Sequence, residues 1–230
     1  MATWSEQASA AIARYEGGES RGLDQRQLTQ LANAAWAAGL CLLMDGNRDE
    51  SAVWFRRAAD RYRESWEGAP ADSWGRPIAR MKALLLAGDD ASDAARWALD
   101  LGAAQAESPI GRYAATLALL VLHRDAEARV LAETLVGRDD FPRDVADALW
   151  MIAGLDRTEY AIAIENLIED FEARTDFLEG VRVADTILVL QILAAEREMA
   201  VEVPPESALH FQAVNVPASR ERPPAKPAGS

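Results

Sequence analysis

The chain has 230 residues, half of them hydrophobic and 27% charged, enough to bury the core of one ordinary domain. A formal net charge of −13 disfavours direct contact with phosphate backbones and anionic lipid surfaces; it attracts a basic protein partner, or serves solubility alone. The single cysteine, Cys41, excludes an intramolecular disulfide, and the longest strongly apolar run, Thr186 to Ala195, falls short of the roughly 20 residues of a membrane span.

Helix signals run from one end of the chain to the other. Thr3 and Glu6 have capping-box spacing, and Gly17-Gly18 closes the first predicted helix. Nothing in this N-terminus resembles a basic stretch followed by an apolar leader, so the expected location is the cytoplasm. The second helix is expected over Asp24–Met44, with Leu28, Leu31, Ala35, Ala38 and Leu42 on one apolar stripe, and Gly46 follows it. The third, about Asp49–Trp66, turns Val53, Trp54, Ala58 and Tyr62 inward. Beyond Gly68-Ala69-Pro70, further helices are expected near 72–87, 91–104, 109–122, 126–136, 142–153, 157–175 and 181–199. Ser108-Pro109 supplies an N-cap followed by proline at the first helical position, and Phe141-Pro142 makes a similar start. Gly88, Gly137 and Gly154 mark helix ends, where a left-handed residue is wanted. The last helix is apolar nearly all round and should lie between neighbours; Asp185 within it should pair with Arg182 or Arg174. Loops of about two to six residues force antiparallel neighbours.

The expected fold is therefore all-α, about ten antiparallel helices as stacked hairpins in a solenoid or compact bundle, with no sheet. One helical domain should occupy residues 1–215. Residues 216–230, with four prolines and a charge of +2, have the composition of a disordered tail, which leaves −15 on the rest.

Within residues 32–65, Gly39, Gly46, Phe55 and Ala58 recur at spacings that resemble the tetratricopeptide pattern, in which small residues let two helices approach and an aromatic wedges between them. Ala35 stands where that repeat prefers Trp, and Ser51 replaces a usual Ala. Arg80–Asp100, with Trp97 as wedge, is a looser copy, and Tyr113–Val136 looser still. A second likeness rests on Ala95-Arg96-Trp97, Tyr160 through Phe171-Glu172-Ala173-Arg174, Val183-Ala184-Asp185-Thr186, Leu188-Val189-Leu190-Gln191 and Leu193-Ala194-Ala195-Glu196-Arg197. These segments resemble the all-helical immunity proteins of bacterial polymorphic toxin systems (immunity family 49). The resemblance implies a cytosolic inhibitor that binds a cognate toxin.

Residues that carry catalysis are sparse. The two histidines, His123 and His210, are far apart; with one cysteine they offer no zinc spacing, and no Glu-x-x-His pair suggests a di-metal bundle. His123 falls at a helix C-terminus, where a cation suits the macrodipole. No phosphate loop or nucleophile triad emerges, so neither cofactor nor enzymatic activity is expected. Two groups stand out as partner-binding candidates. Trp66 and Trp74 flank the Gly68-Ala69-Pro70 turn beside Arg76 and Arg80, either as a binding edge or folded back on the stack. Glu165, Glu169 and Glu172 line one helix face, either solvated or a docking stripe. The leading expectation is a protein-binding module, an immunity protein masking a basic toxin. The alternatives are a tetratricopeptide-type peptide scaffold and, from another class, an enzyme holding a small molecule between helices.

Overall fold

Side-chain caps open five of the ten α-helices among the described residues, at Thr3, Asp24, Asn47, Ser108 and Asp156. In the computed structural model, which describes residues 2–203, the Glu6 amide donates to Thr3 Oγ1 (3.2 Å) and the Thr3 amide donates to Glu6 Oε2 (2.8 Å), starting α1 (Trp4–Gly18). A second capping box, Asp24 with Gln27, opens α2 (Gln25–Met44), and Asn47 caps α3 (Arg48–Glu64). Then follow α4 (Gly75–Ala87), α5 (Ser92–Asp100), α6 (Pro109–Val121) behind its Ser108 cap, and α7 (Asp125–Glu133). The last three are α8 (Arg143–Gly154), α9 (Arg157–Ala173) and α10 (Asp185–Ala195). Short 3₁₀ turns at Ala103–Gln105 and Leu178–Gly180 complete the described residues, which contain no strand. The tail expected at 216–230, with His210 and the domain end at 215, lies outside the described residues.

Consecutive helices pack against one another along most of the chain, the stacked arrangement expected from short loops. Two apolar clusters result. One joins α1, α2 and α3, with α2 buried along most of its length from Leu31 to Leu43; the other joins α4 through α10. The α10 region stitches them together: Val181, Val183 and Leu188 enter the first, while Ile187, Val189, Leu190 and Leu193 enter the second. Close approach of α2 and α3 depends on Gly39, where a Cβ would stand 2.8 Å from the Phe55 ring, and the Ser51 hydroxyl donates to the Gly39 carbonyl at 2.8 Å. Here the small residue and aromatic wedge meet as the spacing suggested.

Four expectations are corrected. Val53, expected inward on α3, is exposed, while nearby Phe55 is fully buried. The final helix starts at Asp185, not 181, because Val181 and Val183 are buried with Arg182 exposed between them. That is the period-2 burial of an extended segment, which a helical reading of the apolar run conceals. Asp185 pairs with Lys82 of α4 rather than with Arg182 or Arg174: Arg174 holds Asp170, and Arg182 donates to the Glu172 carbonyl at 3.3 Å. The left-handed position closing α8 falls on Leu155 (φ 57°), one residue past Gly154, whose added Cβ would meet the Arg129 guanidinium at 3.3 Å.

Candidate functional site

The aromatic candidates fold inward. Trp66 lies between Trp74 (5.9 Å between centroids, tilted) and Trp97 (5.8 Å, edge-on), and Trp74 is only 6% exposed. Of the two alternatives for the tryptophans, the structure takes the folded-back one: apolar area this large is more stable packed against the second cluster, to which Trp74 belongs and against which the partly buried Trp66 packs. Arg76 is held inside as well. Its guanidinium donates to Ser65 Oγ (3.0 Å), Thr29 Oγ1 (3.2 Å) and the Gln25 side chain, tying the start of α4 to the start of α2. Arg80 lies over Trp97 at 5.4 Å beside Arg63, which stacks on the same ring at 4.3 Å. Burial, then the charge of Arg63, lowers the pKa of Arg80, and its Nε is occluded without a hydrogen-bond partner among the described residues. These four residues organise the α3–α4–α5 junction.

The acidic candidates point outward. Glu165, Glu169 and Glu172 are exposed on α9, and Glu165 and Glu169 have no ion pair with a described residue. On the adjacent helix, Asp144 accepts a hydrogen bond from Asn166 (3.3 Å) and Asp147 faces Arg143 at 3.6 Å. These side chains, with Glu169 and Asp170, border a shallow polar cleft between α8 and α9. Among the described residues no group of three or more His, Cys, Asp or Glu side chains is arranged to hold a metal ion, so this cleft presents a field rather than a chelate. Two exposed apolar side chains adjoin it in sequence: Ile162, one turn before Glu165 and Asn166, and Leu155 at the α8–α9 turn.

A third feature is a cavity of about 400 Å³ between α2, α6, α8, α9 and the 174–187 segment. Five aromatic rings line it: Trp36, Tyr113, Phe141, Phe171 and Phe177, of which Tyr113–Phe141 (5.6 Å) and Phe171–Phe177 (5.3 Å) are paired. Asp185 and Thr186, at the start of α10, form part of its polar lining. The Lys82 ammonium donates to the Asp185 carboxylate and to Thr186 Oγ1 (3.0 Å), and lies 5.7 Å from the Trp36 ring centre. Burial disfavours the ammonium, but the Asp185 carboxylate outweighs it and the Lys82 pKa is raised. Burial also raises the Tyr113 phenol, with Lys82 lowering and Asp185 raising it further. Sequence reasoning missed this cluster. Its signals were Lys82, a lone charge inside the apolar run Met81–Leu86, and Asp185, a lone acid in the most apolar helix.

No protein-family model, curated protein or solved structure matches the chain. No helix among the described residues is long and apolar enough to cross a membrane.

Proposed function

We propose that the protein is a helical protein-binding module whose docking surface is the acidic α8–α9 face, and that its partner is a basic protein. The observation that carries this reading is the set of exposed carboxylates on α9, of which Glu165 and Glu169 have no ion pair with a described residue, beside the exposed Ile162. Carboxylates free of internal partners supply long-range attraction to a cation-rich surface, and an apolar side chain among them supplies contact area once the partner arrives. With a net charge of −13 the field of the whole molecule acts in the same direction. The finer reading is an inhibitor of the immunity-protein kind, masking a basic toxin. Its support is the likeness of the segments around Arg96-Trp97, Phe171–Arg174 and Val183–Thr186 to such proteins.

The test is affinity capture from native lysate with wild type and with the triple variant Glu165→Lys, Glu169→Lys, Glu172→Lys. All three side chains are exposed, so the variant should keep its helical circular dichroism. The expected result is one stoichiometric basic protein retained by wild type and lost by the variant. Equal capture by both would refute the assigned face. If the captured protein arrests growth when expressed alone and co-expression relieves the arrest, the inhibitor reading stands; a harmless partner would make the module an adaptor.

A further inference from the structure

The aromatic cavity beside α10 has the features of a ligand site that partner docking on α8–α9 does not use. About 400 Å³ lies within the range of small-molecule pockets, roughly 300–1,000 Å³. Its walls come from both apolar clusters, with Trp36 from one and Phe171 from the other. It is therefore a gap between packed units rather than a dent in one. The polar groups around it are unevenly satisfied. Lys82 is engaged by Asp185 and Thr186, Arg174 by Asp170, and Asp140 by both arms of Arg138 (2.7 Å each). Two lining acids keep acceptor capacity: Asp176 has no ion pair or hydrogen bond with a described residue, and Asp185 uses one carboxylate oxygen on Lys82. The Tyr113 hydroxyl, on a side chain 8% exposed, also has no hydrogen bond to a described residue. Cations are matched, Lys82 also lying near the Trp36 ring and Arg182 over Phe177, while the acceptors and the Tyr113, Phe141 and Phe171 rings, which no cation of a described residue overlies, are left over, so the complementary guest brings hydrogen-bond donors and positive charge on an apolar body.

We propose that this cavity binds a small aromatic or aliphatic ammonium compound, its apolar body among Trp36, Phe141 and Phe171 and its cationic head toward Asp176, Asp185 and the Tyr113 hydroxyl. The head would receive cation–π attraction from the rings and charge-assisted hydrogen bonds from the acids. An anionic head of the same shape would meet Asp176 and Asp185 with no free cation among the described lining residues to compensate.

Calorimetric titration of the full chain with 2-phenylethylamine, 2-phenylethanol and 3-phenylpropionate separates the cases, since the three share one ring and differ in head charge. The ammonium probe should bind about tenfold more tightly than the alcohol, the size of a partly desolvated cation–π and charge contribution, and the carboxylate should not bind measurably. Asp176→Asn, at an exposed residue, should weaken the amine severalfold and leave the alcohol unchanged. Val145→Trp, which fills the cavity, should abolish both. Thermal unfolding of each variant confirms that it is folded. Equal affinity for amine and carboxylate, amine binding unaltered by both substitutions, or no amine binding up to its solubility limit would each overturn the proposal.

Discussion

At the scale of single residues, the contact that decides how closely α2 and α3 approach is Gly39 against Phe55. A methyl group at Gly39 would sit 2.8 Å from two atoms of a fully buried ring, so either the helices separate or the ring leaves its rotamer. Overpacking of this kind costs about 1–3 kcal/mol. Gly39→Ala should therefore lower the thermal midpoint by several degrees, whereas Gly17→Ala, with open space around it on α1, should leave it unchanged or raise it slightly. Equal midpoints for the two variants would show that α2 and α3 are not packed this closely. The Gly39–Phe55 pair was legible in the sequence because small residue and aromatic recur at a helical-hairpin spacing. Leu155 was not: glycine is the residue expected at a left-handed helix end, yet Gly154 is the last residue of α8 and the left-handed backbone falls on Leu155, which no local pattern announces.

Among elements, the α10 region places residues from neighbouring positions in both apolar clusters. It lies against α4, α8 and α9 and bridges the two apolar clusters. Its start is fixed to α4 by Lys82–Asp185. Its other end is fixed by Gln191, which accepts from the Tyr160 hydroxyl (2.8 Å) and the Val201 amide (3.3 Å) and donates to the Val201 carbonyl (2.6 Å). Removing one partner of a fully buried ion pair costs roughly 3–5 kcal/mol. Because Asp185 retains 29% side-chain exposure, Lys82→Met should cost less, about 2 kcal/mol. Asp185→Asn strands the more deeply buried ammonium, and the double variant should lose clearly less than the sum of the singles. Denaturant unfolding of all four proteins measures this coupling, and strict additivity would remove the pair as a tether. The apolarity of α10 and its position between neighbours were readable from its composition. Its starting residue was not, since Val181-Arg182-Val183 is too short for period-2 burial to stand out from the longer helical pattern.

Over the whole molecule, burial acts in one direction on every phenol. Tyr15, Tyr62, Tyr113 and Tyr160, the chain's four tyrosines, are all raised, with desolvation the largest cause each time. A folded state that holds these protons more tightly than the unfolded chain is fully stabilised below the free phenol value of about 10 and loses that stability as pH rises through the raised values. Lys82, also raised, adds to the same loss above its own free value of about 10.4. Phenolate absorbance on alkaline titration should therefore appear together with loss of helical circular dichroism. Phenolates forming near pH 10 with the helices intact would contradict the packing. The class of fold was plain from helical periodicity and caps along the chain. The candidate sites were half legible: exposed acids on α9 follow from its amphipathic pattern, but the cavity is assembled from five separate elements, and no single stretch of sequence contains it.

If the acidic α8–α9 face recruits a basic protein, as proposed, long-range attraction governs their encounter. The most direct measurement is the association rate of the purified captured partner with wild type and with the Glu165→Lys, Glu169→Lys, Glu172→Lys variant, across a series of salt concentrations. Electrostatic steering predicts a wild-type rate that falls steeply with ionic strength, a slower variant, and convergence of the two at high salt. Rates that are equal at low salt, or insensitive to salt in wild type, would contradict the assignment of this face.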